Sequence, residues 1–351
     1  MIFEFWIYLD IRVSDLGFDI VYVDFYFFVV KFNRTNEIRE KKMKRILVTG
    51  GAGFIGSNIV DKYIEKGYEV DIVDNLSTGS INNVNKDARF FKIDINDKKI
   101  GEIFKERRYD VVSHHAAQMN IRVSVEKPIF DVQINIIGTI NILNCCVKNG
   151  VRYFIFASSG GAIYGEQEYY PADEAHSTNP DSPYGISKLT GEKFLHFFHE
   201  SYGLEYIALR YANVYGPRQN PYGEAGVVAI FADKMIKGER AVIFGDGKQT
   251  RDFVFIEDVV RANIIALERR IVGCYNISTG IETDINKIYK EISNLTGYKY
   301  QPQYDSAKKG ELRRSVLDYT KAERELGWRP EVDLMSGLEK TIEYFKKLDA
   351  T

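Results

Sequence analysis

The chain carries 351 residues, 45% of them hydrophobic and 27% charged, at a formal net charge of −2. That supplies a full core for one large or two closely joined domains, and so balanced a charge excludes a bulk electrostatic case for binding nucleic acid or an anionic membrane. Cys145, Cys146 and Cys274 make no CxxC pair and are odd in number, a usage that suits a reducing cytoplasm with the thiols packed as small hydrophobes.

Residues 1–42 differ in texture from the rest: an aromatic-rich run from Ile20 to Val30 precedes a charged stretch from Arg34 to Lys42. The run is about half the ~20 residues a spanning helix needs. Asp24 interrupts it, and acidic rather than basic residues precede it. Neither membrane insertion nor a secretion signal fits. Two readings stay open, an added strand or hairpin and an upstream segment with Met43 as the real start. The second is preferred, because a strand pattern begins directly after Met43 and completes a domain without help.

From Lys44 short β-branched runs alternate with helical patterns, the order of a doubly wound parallel sheet. The candidate strands are Ile46 to Val48, Glu69 to Val73, Phe90 to Ile93, Val111 to Ser113, Phe154 to Ala157 and Tyr206 to Leu209. Helical stretches fall at Phe54 to Lys66, Pro128 to Lys148 and Pro183 to Tyr202. From about Tyr215 the order loosens into turn-rich pieces such as Phe244 to Lys248 and shorter helices. Residues 43–215 thus read as a first domain and 216–351 mainly as a smaller α/β lobe.

Thr49-Gly50-Gly51-Ala52-Gly53-Phe54-Ile55-Gly56 stands where a strand ends and a helix begins. Gly50, Gly53 and Gly56 let the backbone turn tightly, approach a pyrophosphate and pack the helix on the sheet, while the helix N-terminus offers unpaired N–H donors to the anion. Asp74 ends the next strand, where a carboxylate accepts from a ribose 2′-hydroxyl and repels a 2′-phosphate, selecting NAD over NADP. Asp94, after the third strand, suits the adenine end or a solvated loop.

Tyr184-Gly185-Ile186-Ser187-Lys188 opens a helix after Pro183, and the i, i+4 spacing places phenol and ammonium on one face. A tyrosine of ordinary pKa, about 10, is a poor base near neutrality. The lysine cation and the positive nicotinamide ring of NAD+ would favour phenolate. A fall of ~3 units requires about 4 kcal/mol of differential stabilisation.

With these motifs the chain resembles the extended short-chain dehydrogenase/reductase family, in its NAD-dependent epimerase/dehydratase branch and nearest the UDP-glucose 4-epimerases. The resemblance runs from about Lys44 to Pro330. It includes Asp74 to Gly79, His114 to Gln118, Leu209 to Arg218, Gly245 to Phe253 and Leu326 to Pro330. It implies a Rossmann-type NAD-binding domain with a smaller C-terminal lobe for a nucleotide sugar. NAD would be held by Gly50, Gly53, Phe54, Ile55, Gly56, Asp74, Asn75, Asp94, Ile95, Ala116 and Lys188. Tyr184 resembles the catalytic base, and Lys188 the residue that holds the nicotinamide ribose and lowers the tyrosine pKa.

The family's catalytic hydroxyl falls within Ala157-Ser158-Ser159-Gly160-Gly161-Ala162-Ile163-Tyr164-Gly165. Counting back four from Tyr164 reaches Gly160, a departure that looks like a one-residue insertion. The hydroxyl is placed on Ser159, with Ser158 as the alternative. Related 4,6-dehydratases carry an Asp-Glu pair just after that hydroxyl, and related decarboxylases tend to carry a Glu. Here those positions are Gly160, Gly161 and Ala162, which leaves oxidation at C4 and its reversal on the opposite face after the 4-keto sugar turns over.

For the UDP-sugar, the resemblance assigns Asn213 to a phosphate contact and Arg251 to the diphosphate, for which its planar fork is suited. Lys308 and Glu311 stand where relatives carry Arg and Asp, and are carried over to phosphate and ribose, with solvated surface charges as the alternative. Ser315 replaces a residue that limits sugar size, leaving room for an N-acetyl group. UDP-glucose and UDP-galactose, with the N-acetylhexosamine pair, are the expected substrates. UDP-glucuronate or another nucleotide sugar, and a non-catalytic sensor, are the alternatives. His114 and His115 lack a third ligand at metal spacing, so no metal is expected. The helices 128–148 and 183–202 make a homodimer interface in this family, and their apolar content permits one here.

Overall fold

The computed structural model describes residues 45–222, 226–307 and 312–350. The N-terminal extension 1–42, the start at Met43, and Lys308 and Glu311 lie outside the described residues. All six expected strands form: β1 (Arg45–Thr49), β2 (Glu69–Asp74), β3 (Arg89–Lys92), β4 (Val111–His114), β5 (Tyr153–Ser159) and β6 (Glu205–Tyr211). Beyond them come β7 (Asn213–Tyr215), β8 (Val242–Phe244), β9 (Thr250–Phe255), β10 (Gly273–Ile277), β11 (Glu282–Asp284) and β12 (Gln303–Asp305).

Seven strands build one sheet in the order β10-β6-β5-β4-β1-β2-β3, every pair parallel. Helices cover both faces, so the central strands are buried on both sides and read as unbroken apolar runs. Alternate residues part cleanly. Ile46, Val48, Ile155 and Ile207 share a cluster with Ile59, Val60 and Tyr63 of the helix Phe54–Glu65. Leu47, Val112, Phe154, Phe156 and Ala208 face Leu143, Cys146, Leu195 and Phe198 on the other side. Cys145 and Cys146 are buried there as free thiols, packed as the small hydrophobes their context suggests.

The stretch 128–148 forms a continuous rod, Pro128–Asn149, with π-helical hydrogen bonding over Gln133–Gly138. A side chain at Gly138 would lie 2.5 Å from Ile95 Cδ1, so the glycine lets the rod pass close to the loop after β3. Among the described residues this is the one helix long and apolar enough to cross a membrane, and 44% of its most apolar window is buried inside the fold. That half-burial is what a helix covering one face of a sheet shows.

The helix Pro183–Tyr202 starts on Ser182, whose hydroxyl accepts from Gly185 N at 3.1 Å, with Pro183 in the first turn, and ends on Gly203 at φ +71°. These are the expected start and stop signals.

The second lobe holds the sheet β11-β9-β7 and the pair β12-β8. Asn213–Tyr215 contribute β7 to this lobe, and β10, from within 216–351, joins the main sheet beside β6. The lobe is pinned by Asp252 of β9, buried, whose carboxylate accepts from Thr279 N (2.8 Å), Thr279 Oγ1 (2.7 Å), Gly280 N (2.9 Å) and Leu317 N (3.4 Å). Burial pushes its pKa up to about 6. A raised carboxylate pKa contributes stability that is full below the unfolded value and is lost as pH rises through the folded one. In urea unfolding, Asp252→Asn is therefore expected to gain on the parent as pH rises from about 4 to about 6, and a drift the other way contradicts this.

Candidate active site

The site is assembled on the carboxyl edge of the sheet. Thr49 ends β1, and Gly50 turns the chain at φ +70° while its N–H donates to Val73 O at 2.8 Å. A Cβ on Gly50 would stand 2.6 Å from Ala116 N and 2.7 Å from the His115 carbonyl carbon. One on Gly56 would stand 2.2 Å from Gly50 O. Only glycine lets the turn close here. Gly53 caps the following helix without a side chain, so Phe54 and Ile55 open a first turn whose N–H groups no capping side chain serves.

Around this turn lies a polar rim. Asp74, buried at the end of β2, accepts from Ala52 N at 3.0 Å and Leu76 N at 2.8 Å. A carboxylate accepts about four hydrogen bonds, so it retains acceptor capacity beyond these two. Asn75 donates to Asp94 Oδ2 at 2.7 Å, joining the ends of β2 and β3. Ala116 N donates to Thr49 Oγ1 at 3.3 Å. Ile95 is set apart by its buried side chain against Gly138, with its carbonyl accepting from Asn141 Nδ2 at 2.6 Å.

His114 is a core residue between Thr49 Oγ1 (2.8 Å) and Thr139 Oγ1 (3.1 Å), and burial drives its pKa well down. His115 bonds Ser113 Oγ at 2.8 Å, and its Nδ1 is a buried polar atom without a partner among the described residues. Uncapped donors, a carboxylate with spare lone pairs and an orphaned ring nitrogen beside the Gly50 contact fit a dinucleotide laid across the ends of β1 and β4.

Beside it, Ser159 ends β5, and its hydroxyl lies near enough to the Tyr184 phenol to draw the phenol pKa down. Ser158 points elsewhere, its hydroxyl donating to Glu192 at 2.6 Å, so the strand alternation separates the two serines. Tyr184 N donates to Ser124 Oγ at 3.2 Å, fixing the start of its helix. Lys188 is buried, donates to Ala157 O at 2.8 Å and lies 5.8 Å from the Tyr184 ring centroid.

The expectation that Lys188 lowers the Tyr184 pKa is not met in the chain alone. Burial pushes the phenol up to about 12, the Ser159 hydroxyl pulls it down and the Asp131 charge adds to the rise. The ammonium lies over the ring and is committed to a carbonyl, while its own pKa falls to about 8, mainly through burial.

Asn213 Oδ1 faces Gly161, 3.7 Å from where a Cβ would stand, and so belongs to the same pocket wall. Arg251 lies on β9 with its guanidinium donating to Thr250 O at 2.7 Å. Two groups escape the motif reading, and a third, Arg210, lies in the Leu209 to Arg218 stretch without a role assigned there. Asp131 is fully buried under the helix that carries Tyr184. Glu192, one turn beyond Lys188, is clamped by Arg210 at 2.7 and 3.0 Å. Arg210 in turn reaches Tyr164 Oη at 2.8 Å. A signal existed for Asp131: it is the one acid in the apolar stretch from Pro128 to Lys148.

The sequence profile of the NAD dependent epimerase/dehydratase family matches residues 46–278, and the chain belongs to that family. A putative UDP-glucose 4-epimerase of Methanocaldococcus jannaschii is 51% identical over 308 residues, covering 87% of this chain and all of that one. The crystal structure of the UDP-glucose 4-epimerase of Thermotoga maritima with UDP-glucose superposes at a TM-score of 0.85, with 51% identity over 87% of this chain and 99% of that one. That of the Thermus thermophilus enzyme, a complex with NAD, superposes at 0.82, with 42% identity over 86% and 98%. The chain is accordingly an NAD-dependent epimerase.

Proposed function

We propose that this chain inverts C4 of UDP-glucose and UDP-galactose through a 4-keto sugar. The observation that carries the reading is the meeting of Ser159, Tyr184 and Lys188 beside the glycine turn, with no acid or base at residues 160–162. A Cβ at Gly160 would fall 2.3 Å from Leu317 Cδ1, so that position cannot accept an acidic side chain without repacking. Gly161 has space but no functional group.

When bound, NAD supplies the acceptor and donor of the C4 hydrogen, and a positive ring charge that favours the Tyr184 phenolate. Gly50, Gly53, Phe54, Ile55 and Gly56 would hold its pyrophosphate, and Asp74 and Asn75 its ribose, with Asp94, Ile95 and Ala116 along the remainder. Tyr184 takes the proton of the C4 hydroxyl and later returns it, while Ser159, at the end of β5 beside the phenol, orients the sugar oxygen. Lys188 remains largely cationic near neutrality at a pKa of about 8, and so offsets the charge of the phenolate. Asn213 and Arg251, with Lys308 and Glu311, would take the UDP moiety. Ser315 carries a small side chain, which supports acceptance of the N-acetylated pair.

A homodimer is proposed on the face formed by the helices Pro128–Asn149 and Pro183–Tyr202. Ile129 (74% exposed), Phe130, Val132, Ile137, Ile186 and Phe197 present apolar surface there, a patch of the kind that marks an interface. Sedimentation should give a dimer for the parent and a monomer for Phe130→Asp; an unchanged Phe130→Asp would remove the support.

For the reaction, a nucleotide-sugar panel assayed for C4 inversion should show interconversion of the glucose and galactose pair and of their N-acetyl counterparts. Tyr184→Phe is expected to lower kcat by about 10²-fold or more, the contribution of a general base, while cofactor still binds. A protein that binds NAD but inverts no sugar would instead be a sensor.

A further inference from the structure

Among the described residues two acids act on the Lys188 ammonium, Asp131 and Glu192. They differ in what else they hold. Glu192 is neutralised by the buried Arg210 guanidinium at 2.7 and 3.0 Å and also accepts from Ser158. Asp131, fully buried, accepts only from neutral groups: Ser187 Oγ at 2.6 Å on one oxygen, Gln118 Nε2 at 3.0 Å and Asn135 Nδ2 at 2.9 Å on the other. Three donors satisfy its lone pairs without cancelling its charge. The remaining titratable neighbours are the Tyr184 phenol and the imidazoles of His114 and His115, both driven to the neutral form. Of the two acids that act on Lys188, Asp131 is therefore the one whose charge no second cation offsets.

We propose that Asp131 is a positioning residue of this active site: its buried carboxylate, fixed by Ser187, Gln118 and Asn135, is the counter-charge for the Lys188 ammonium. The proposal rests on the catalytic reading of Tyr184 and Lys188 given above. Ser187 makes the link physical, since it lies between Tyr184 and Lys188 on the same helix and ties that helix directly to Asp131. The carboxylate has two opposed effects. It keeps the lysine charged against the cost of a dry site, and it holds back ionisation of Tyr184, whose pKa it raises. The phenol thus stays protonated until a further positive charge enters, which couples the base to cofactor occupancy.

The test exploits an isosteric swap. In Asp131→Asn the amide oxygen still accepts from Gln118 and Asn135, and the amide nitrogen donates to Ser187 Oγ, a hydroxyl that accepts as readily as it donates. Charge is lost while the contacts remain. On the full-length chain, competitive acetylation with acetic anhydride, read by mass spectrometry across pH, measures the midpoint of Lys188. We expect about 8 for the parent and a midpoint lower by about half a unit or more for Asp131→Asn. Ser187→Ala, which removes a hydrogen bond and keeps the charge, should leave it in place. In turnover, both limbs of the pH–rate profile should move toward acid in Asp131→Asn, because loss of the negative charge lowers the tyrosine and the lysine together. An unmoved Lys188 midpoint in Asp131→Asn, or an equal shift in Ser187→Ala, overturns the proposal. Absence of turnover in the parent would count against the epimerase reading, while the acetylation result would still decide the role of Asp131.

Discussion

β1 and β4 lie side by side in parallel, Thr49 opposite His114, yet the chain leaves them toward opposite halves of the sheet. At that divergence the Gly50 backbone rests against His115 and Ala116 so closely that no Cβ fits between them. A crevice at the carboxyl ends of the strands follows from topology, and the glycine turn decides that backbone N–H groups rather than side chains form its floor. Because every strand of the sheet is parallel, Asp74 of β2 and Ser159 of β5 emerge on the same edge. The register that brings Phe156 opposite His114 places Ser159 three residues further on, above the floor. The helix carrying Tyr184 and Lys188 packs against β5 through Gly191, where a Cβ would meet the Phe156 ring at 2.6 Å.

Dryness is the second constraint. Burial is the largest influence on both groups of the Tyr184–Lys188 pair, which stand at about 12 for the phenol and about 8 for the ammonium. The chain sets polar and charged groups against this: the Ser159 hydroxyl near the phenol, the Asp131 charge acting on the ammonium, and a Glu192–Arg210 pair that ties the middle of the helix to β6.

Much of this was legible in the sequence. The strands and helices of the first domain announce themselves because a two-face buried sheet writes continuous β-branched runs, and Ser182, Pro183 and Gly203 mark one helix at both ends. The glycine turn, Asp74 and the Tyr184–Lys188 spacing are local, so one stretch of chain displays each. The rest depends on distance. β10 joins β6 after a long excursion through the second lobe, and nothing in Gly273–Ile277 names its partner. The Asp252 clamp gathers Thr279, Gly280 and Leu317, all remote in sequence. That Ser158 turns toward Glu192 follows from which face of β5 it occupies, which a pair of adjacent serines does not reveal. The raised phenol pKa is a property of burial, which spacing does not report.

In the epimerisation proposed here, the hydrogen removed from C4 returns to the same carbon on its other face. Deuterium placed on C4 of UDP-galactose tests it directly, with the UDP-glucose formed in ordinary water examined by mass spectrometry. The label is expected to stay on C4 through many turnovers, with no accumulation of NADH. Loss of the deuterium to solvent, or its appearance in free NADH, would contradict the account.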